Sequence, residues 1–170
     1  YEDINKTGFL DILFVNKSTS LKFLIEKNSL NFDSENTGNV YNGHIDFKPF
    51  YLFANFDYKG LSTKNLFNEN SILIDILKTD TLNSENLNAK IDFNVNDITN
   101  INELNNLNLK LNIDQGAISF SGSSIMWKDA CKIFLSESLL SYDGEEIDLI
   151  GKFIFDFNDI NNLYSTFQIN

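Results

Sequence analysis

The fold is decided by the stretch Leu87-Asn88-Ala89-Lys90-Ile91-Asp92-Phe93-Asn94-Val95-Asn96. Leu87, Ala89, Ile91, Phe93 and Val95 fall on one side; Asn88, Lys90, Asp92, Asn94 and Asn96 fall on the other. Successive side chains of an extended strand point to opposite faces, so strict alternation reads as a β-strand with one apolar and one wet face. It favours antiparallel sheet, because strands buried on both faces of a parallel sheet read as unbroken apolar runs.

Working outward, Leu107, Leu109, Leu111 and Ile113 alternate with Asn108, Lys110, Asn112 and Asp114. Tyr41, Ile45 and Phe47 alternate with Asn42, His44, Asp46 and Lys48, and Leu21, Phe23 and Ile25 with Lys22, Leu24 and Glu26. Ile147, Leu149, Phe153, Phe155 and Phe157 face away from Asp148, Lys152 and Asp156. Weaker strands are expected near residues 9–15, 29–33, 51–58, 117–121, 131–136 and 163–169. Turns are expected at Glu35-Asn36-Thr37-Gly38, Asp114-Gln115-Gly116 and Tyr142-Asp143-Gly144, where residues tolerant of unusual backbone angles cluster. Leu66, Phe67, Leu73, Ile76 and Leu77 are spaced nearer three to four apart, which predicts one or two short helices over residues 62–78. Residues 96–106 read as a loop with a helical turn.

The expected fold is therefore mainly β: a long, strongly curved antiparallel sheet, a taco-like β-groove with one helical insertion. A β-sandwich is the alternative. Either way, a sheet with a continuous apolar face must cover it with a second sheet, by curling, or with a ligand.

Composition removes several functional classes. The 170 residues hold 13 basic against 24 acidic groups, for a net charge of -11, and every basic residue is Lys. Such a chain lacks the basic footprint that displaces counterions from nucleic acid. One Cys excludes an internal disulfide and a Cys-based zinc cluster, and one His excludes a His-rich metal site. Hydrophobic residues at 42% and charged residues at 22% describe a folding chain. Asn fills 26 positions, an excess that AT-rich coding produces together with the high Ile, Lys, Phe and Tyr. The chain opens on Tyr1 and holds no signal-like segment or membrane-length apolar run, and is expected to be one segment, 1–170, of a longer protein. Residues 1–37 are expected to close a preceding repeat.

The search for a catalytic centre yields none, and the expectation is a protein that is not an enzyme and carries no cofactor. His44 alternates with Asn42 and Asp46 and is expected to face solvent. Ser119, Ser121, Ser123 and Ser124 lack a nucleophile-elbow setting and read as a polar strand and turn. Cys131 shares apolar spacing with Ile133 and Leu135, as a buried structural thiol does. From Asp92 to Glu103, oxygen side chains fall at positions 1, 3, 5, 9 and 12 of a calcium-loop register. Position 6 is Asp97 where that loop needs Gly, and the preceding segment is a strand instead of a helix, so no metal site is expected. Asn5-Lys6-Thr7 and Asn16-Lys17-Ser18 match the glycosylation sequon, as chance provides in an Asn-rich chain.

Gly43-His44-Ile45-Asp46-Phe47-Lys48-Pro49-Phe50 opens a distinctive order: an apolar strand, the segment 66–77, then Leu87–Val95 and Leu107–Ile113. Gly116-Ala117-Ile118 and Gly151-Lys152-Phe153-Ile154-Phe155 follow, and the chain closes on Leu163-Tyr164-Ser165-Thr166-Phe167-Gln168-Ile169. Over residues 38–170 this order resembles the C-terminal region of AsmA-like proteins of Gram-negative bacteria, related to TamB-type and other bridge-like lipid-transfer proteins. The resemblance implies a β-groove that binds phospholipid acyl chains in the periplasm. It implies a parent anchored in the inner membrane that works with other envelope proteins in lipid transport or outer-membrane biogenesis. No catalytic residues come with it.

The residues expected to line the groove are Phe47, Leu52, Ile91, Phe93, Leu109, Leu111, Phe153 and Phe155. The competing expectation is a β-sandwich interaction module of adhesin or carbohydrate-binding type, and the third is a piece of an outer-membrane barrel with Lys90 and Lys110 facing its lumen.

Overall fold

The computed structural model describes residues 6–14, 17–34, 39–62, 84–142 and 146–167. Eleven strands form one sheet: β1 (Lys6–Phe14), β2 (Lys17–Ile25), β3 (Ser29–Ser34), β4 (Val40–Phe47), β5 (Phe50–Leu61), β6 (Asn88–Ile98), β7 (Leu104–Asp114), β8 (Ala117–Ser119), β9 (Ser124–Trp127), β10 (Cys131–Tyr142) and β11 (Ile147–Phe157). Helix α1 (Ile160–Phe167) follows the last strand. The strands lie side by side in chain order, β8 and β9 sharing the lane between β7 and β10. The fold is thus mainly β and almost entirely antiparallel. Among the described residues there is no second sheet, so the two facing sheets of the β-sandwich alternative are not formed.

Each strongly alternating segment is a strand, and the pairing exceeds expectation in one respect. β5 and β6 run parallel, Leu52 opposite Ala89 and Phe56 opposite Phe93. A parallel pair cannot close with a tight turn, so β5 and β6 need a long connection between them. The helices expected over residues 62–78 fall almost wholly outside the described residues, as does the turn at residues 35–38 and most of that at 142–144. The expected turn after Asp114 is formed. Gln115 and Gly116 have φ of 49° and 84°, the two positive values that a two-residue turn matched to strand twist requires.

Two expectations are corrected. Residues 96–106 are mostly strand: β6 runs to Ile98 and β7 starts at Leu104, leaving a short turn. The strand expected at 163–169 is helix instead, from Ile160 to Phe167. Ile160, Leu163, Tyr164 and Phe167 recur at i, i+3, i+4 and i+7, a helical period that mimics alternation when only part of it is sampled. Asp159 caps the helix, its Oδ1 accepting the Asn161 N–H at 2.9 Å.

The core spans adjoining rows of the sheet. Ala89, Leu111, Ile113, Ile118, Phe120 and Leu140 are buried together, with Leu52, Leu87, Ile91, Leu109, Leu135 and Ile147 packed against them. Where the β8–β9 lane breaks, serine hydroxyls stand in for backbone partners. Ser138 Oγ accepts the Phe120 N–H at 2.7 Å, Ser121 Oγ accepts the Ser138 N–H at 2.8 Å, and Ser123 Oγ accepts the Lys110 N–H at 2.9 Å. Facing this gap, β10 carries a bulge between Ser136 and Leu139, with Glu137 at a φ of 51°. Buried N–H groups must find partners, and short hydroxyl side chains reach where a distorted ladder cannot. The serine cluster is the strand and turn read from sequence, and its hydroxyls also form a hydrogen-bonded patch over a bulge.

Candidate functional site

Directly opposed residues on paired strands share a face, so the pairing registers trace which side chains form one surface. One row runs Ile45, Leu52, Ala89, Ile113, Ile118, Leu140, Leu149 across seven strands. The next runs Phe23, Phe32, Gly43, Ala54, Ile91, Leu111. A third runs Tyr41, Phe56, Phe93, Leu109, and a fourth Tyr58, Val95, Leu107. Alternation along β11 then sets Phe153, Phe155 and Phe157 on the same face as Leu149. From β2 to β11 this face is apolar almost without interruption.

All eight residues chosen from sequence lie on that face, but they do not share one environment. Leu111 is buried in the core, and Leu52, Ile91 and Leu109 pack against it. Phe93 is half-buried and stacks on Phe56, ring centres 4.8 Å apart and planes 13° from parallel. Phe47, Phe153 and Phe155 are exposed. The face therefore has a closed part along the core row and open parts at the β4–β5 turn and along β11.

The aromatic group beside the core was not singled out from sequence. Tyr41 packs against Phe56 at 5.7 Å and Tyr58 at 5.5 Å between ring centres. Burial, with the neighbouring Tyr41 and a hydrogen bond shared with it, pushes the Tyr58 phenol up to about 12. Residues 51–58 are aromatic at several positions of both parities, which hid the period-2 signal of Ala54, Phe56 and Tyr58. Gly43 is needed in the adjoining row: a β-carbon there would lie 2.2 Å from Phe32 Cζ and 2.6 Å from the Phe53 carbonyl oxygen. The Phe32 ring lies over the glycine and restores the apolar surface that the missing side chain leaves open.

The opposite face is polar and internally bonded. Asn55 donates to Asp57 at 2.8 Å, and Asn94 donates to Asn55 at 3.0 Å and Asp57 at 2.6 Å. Asn108 donates in turn to Asn94, so a ladder of amides and a carboxylate crosses β5, β6 and β7. His44 lies on this face half-buried, its Nδ1 2.6 Å from Asn31 Oδ1 and its Nε2 2.8 Å from Asp46 Oδ1. It is held between two oxygens instead of facing open solvent. Cys131 is buried, and burial together with the Asp156 carboxylate holds its thiol above the usual range. The calcium-loop register from Asp92 does not form a loop, because Asp92 to Ile98 is strand. Those side chains are spread along a ladder of about 20 Å, at roughly 3.3 Å per residue, and cannot converge on one ion. Among the described residues no three His, Cys, Asp or Glu side chains converge as metal ligands, and no helix is long and apolar enough to cross a membrane.

No protein-family profile, curated protein or solved structure matches the chain. The functional argument therefore rests on the two faces themselves.

Proposed function

We propose that this chain is a non-enzymatic lipid-binding domain, part of a larger AsmA-like envelope protein that carries phospholipid between the inner and outer membranes through the periplasm. The observation that supports this reading is the alignment of apolar rows on one face from β2 to β11, backed by the amide ladder on the other. Acyl chains make no hydrogen bonds, so they need a wall that asks for none. Each buried CH₂ contributes roughly 0.8 kcal/mol, so partial insertion of one chain already holds a lipid. The open parts of the face, at Phe47 and at Phe153 and Phe155, are where an acyl chain would first make contact. The acidic exterior does not oppose this, because a headgroup can remain in water.

The test is extraction of the purified chain followed by mass spectrometry, with uptake of a fluorescent phospholipid measured in parallel. Co-purified phospholipid and saturable uptake are expected. Phe47→Glu and Phe153→Glu should reduce uptake while circular dichroism stays unchanged, because both side chains are already exposed. A folded chain that carries no lipid and takes up none would sink the proposal and leave an interaction module as the better reading.

A further inference from the structure

Among the described residues, strand β11 hydrogen-bonds to β10 on one side only, and its other side is an open sheet edge. It bears exposed apolar side chains on both faces. Phe153 and Phe155 are 63% and 54% exposed on the apolar face, and Ile150 and Ile154 are 68% and 51% exposed on the other. A lipid or a protein lying on one face would shield only one of these sets. A strand added in the plane of the sheet flanks both. The usual defences of an edge are thin here: the bulge lies in β10, β11 holds no Pro, and Lys152 is its only basic residue.

The strand is complementary to itself in two registers: centring on Ile150 sets Lys152 opposite Asp148 twice but Phe153 opposite Ile147, whereas centring on Ile154 also sets phenylalanine against phenylalanine. Opposed residues of an antiparallel pair share a face, so a symmetric pairing must centre on a residue. Centring on Lys152 sets two ammonium groups against each other. Centring on Phe153 or Phe155 leaves Lys152 and Asp156 opposite uncharged residues. Centring on Ile154 sets Lys152 opposite Asp156 twice, Phe153 opposite Phe155 twice, and Gly151 opposite Phe157, where the absent side chain leaves room for the ring. Within one chain Lys152 already touches Glu137 on the β10 bulge, so the second copy's Asp156 would complete a carboxylate on either side of it.

We infer that two copies of this chain pair antiparallel through β11, edge to edge, about a twofold axis at Ile154. The axis stands perpendicular to the sheet, so the apolar faces of the two copies join into one. This inference stands apart from the lipid reading: it concerns the edge, not the face.

Sedimentation of the whole chain over a range of concentrations should show a monomer–dimer equilibrium. Ile154→Cys should give a disulfide-linked dimer on oxidation, because residues opposed at the axis lie about 5 Å apart between Cα atoms, within disulfide reach. Ile150→Cys should not, since its two copies would be about 26 Å apart at 3.3 Å per residue. The native chain, whose one Cys131 is buried, should not crosslink either. Asp156→Lys should weaken the dimer on the order of tenfold, with Lys152→Glu added to it restoring association. A monomer at every concentration, equal crosslinking at 150 and 154, failure of the charge swap to restore the dimer, or mass that grows without limit with concentration would each overturn the inference.

Discussion

Strands β6 and β11 are nearly the same sentence in sequence and opposite cases in structure. Both are eleven residues long, both set an apolar stripe that includes Phe on one face, and both carry Lys and Asp on the other. In β6, Ala89, Val95 and Ile98 are buried; in β11, every residue from Asp148 to Phe157 is exposed. The difference is neighbours. β6 has β5 on one side and β7 on the other, whereas among the described residues β11 has β10 alone. Alternation decides which face a side chain joins, and the number of flanking strands decides how much water it keeps. For function, the contrast separates a buried interior from a border whose apolar groups remain available.

The comparison can be broken from its buried side. Ile118 sits at the centre of the core row with 1% of its surface exposed. Ile118→Ala should cost about 2–5 kcal/mol in urea unfolding, since it leaves a cavity that close-packed neighbours fill only in part. Gly43→Ala should cost about 1–3 kcal/mol, because the new methyl meets the Phe32 ring and the backbone carbonyl of Phe53, which cannot retreat easily. Ser138→Ala should cost about 1–3 kcal/mol by stranding the buried Phe120 N–H, and Ser138→Thr, which keeps the hydroxyl, should recover part of it.

Alkaline pH gives a finer probe of the half-buried aromatic group. The fold holds Tyr58 neutral up to about 12, while the unfolded chain releases that proton near 10. Between those values the unfolded state binds fewer protons, so stability is whole below pH 10 and falls as pH rises toward 12. Tyr58→Phe lacks that loss, and the thermal-unfolding gap between the native chain and the variant should shift in the variant's favour across that window. At the exposed extreme, Phe153→Ala should move stability by no more than about 0.5 kcal/mol, the range of surface substitutions. A cost as large as that at Ile118 would mean that the edge is as closed as the centre, and the contrast would fail.

How much was legible follows from the same distinction. Ile91, Phe93, Leu109 and Leu111 were legible as one face because each sits in a strand whose polar residues mark the other face, whereas Leu52 lies between Tyr51 and Phe53 and has no such marker beside it. The exposed Phe153 and the buried Leu111 looked alike, since pattern records orientation and not cover. The helix at Ile160–Phe167 was misread because Leu163 and Phe167, four apart, share a face under either period. The role of Ser121 and Ser138 was invisible, because it depends on a gap between β8 and β9 that lies opposite a bulge in another strand.

By itself the sequence determined the mainly β class, the two-faced sheet, most strand positions and the turn after Asp114, because local alternation and turn chemistry fix backbone extension and side-chain direction. Only the tertiary structure decided that β5 and β6 run parallel, that Ile118 lies at the heart of the core, and that β11 stands at an edge with apolar groups on both sides. Those outcomes depend on which strands become neighbours, and hydrogen-bonded pairing joins residues too far apart along the chain for any local pattern to name.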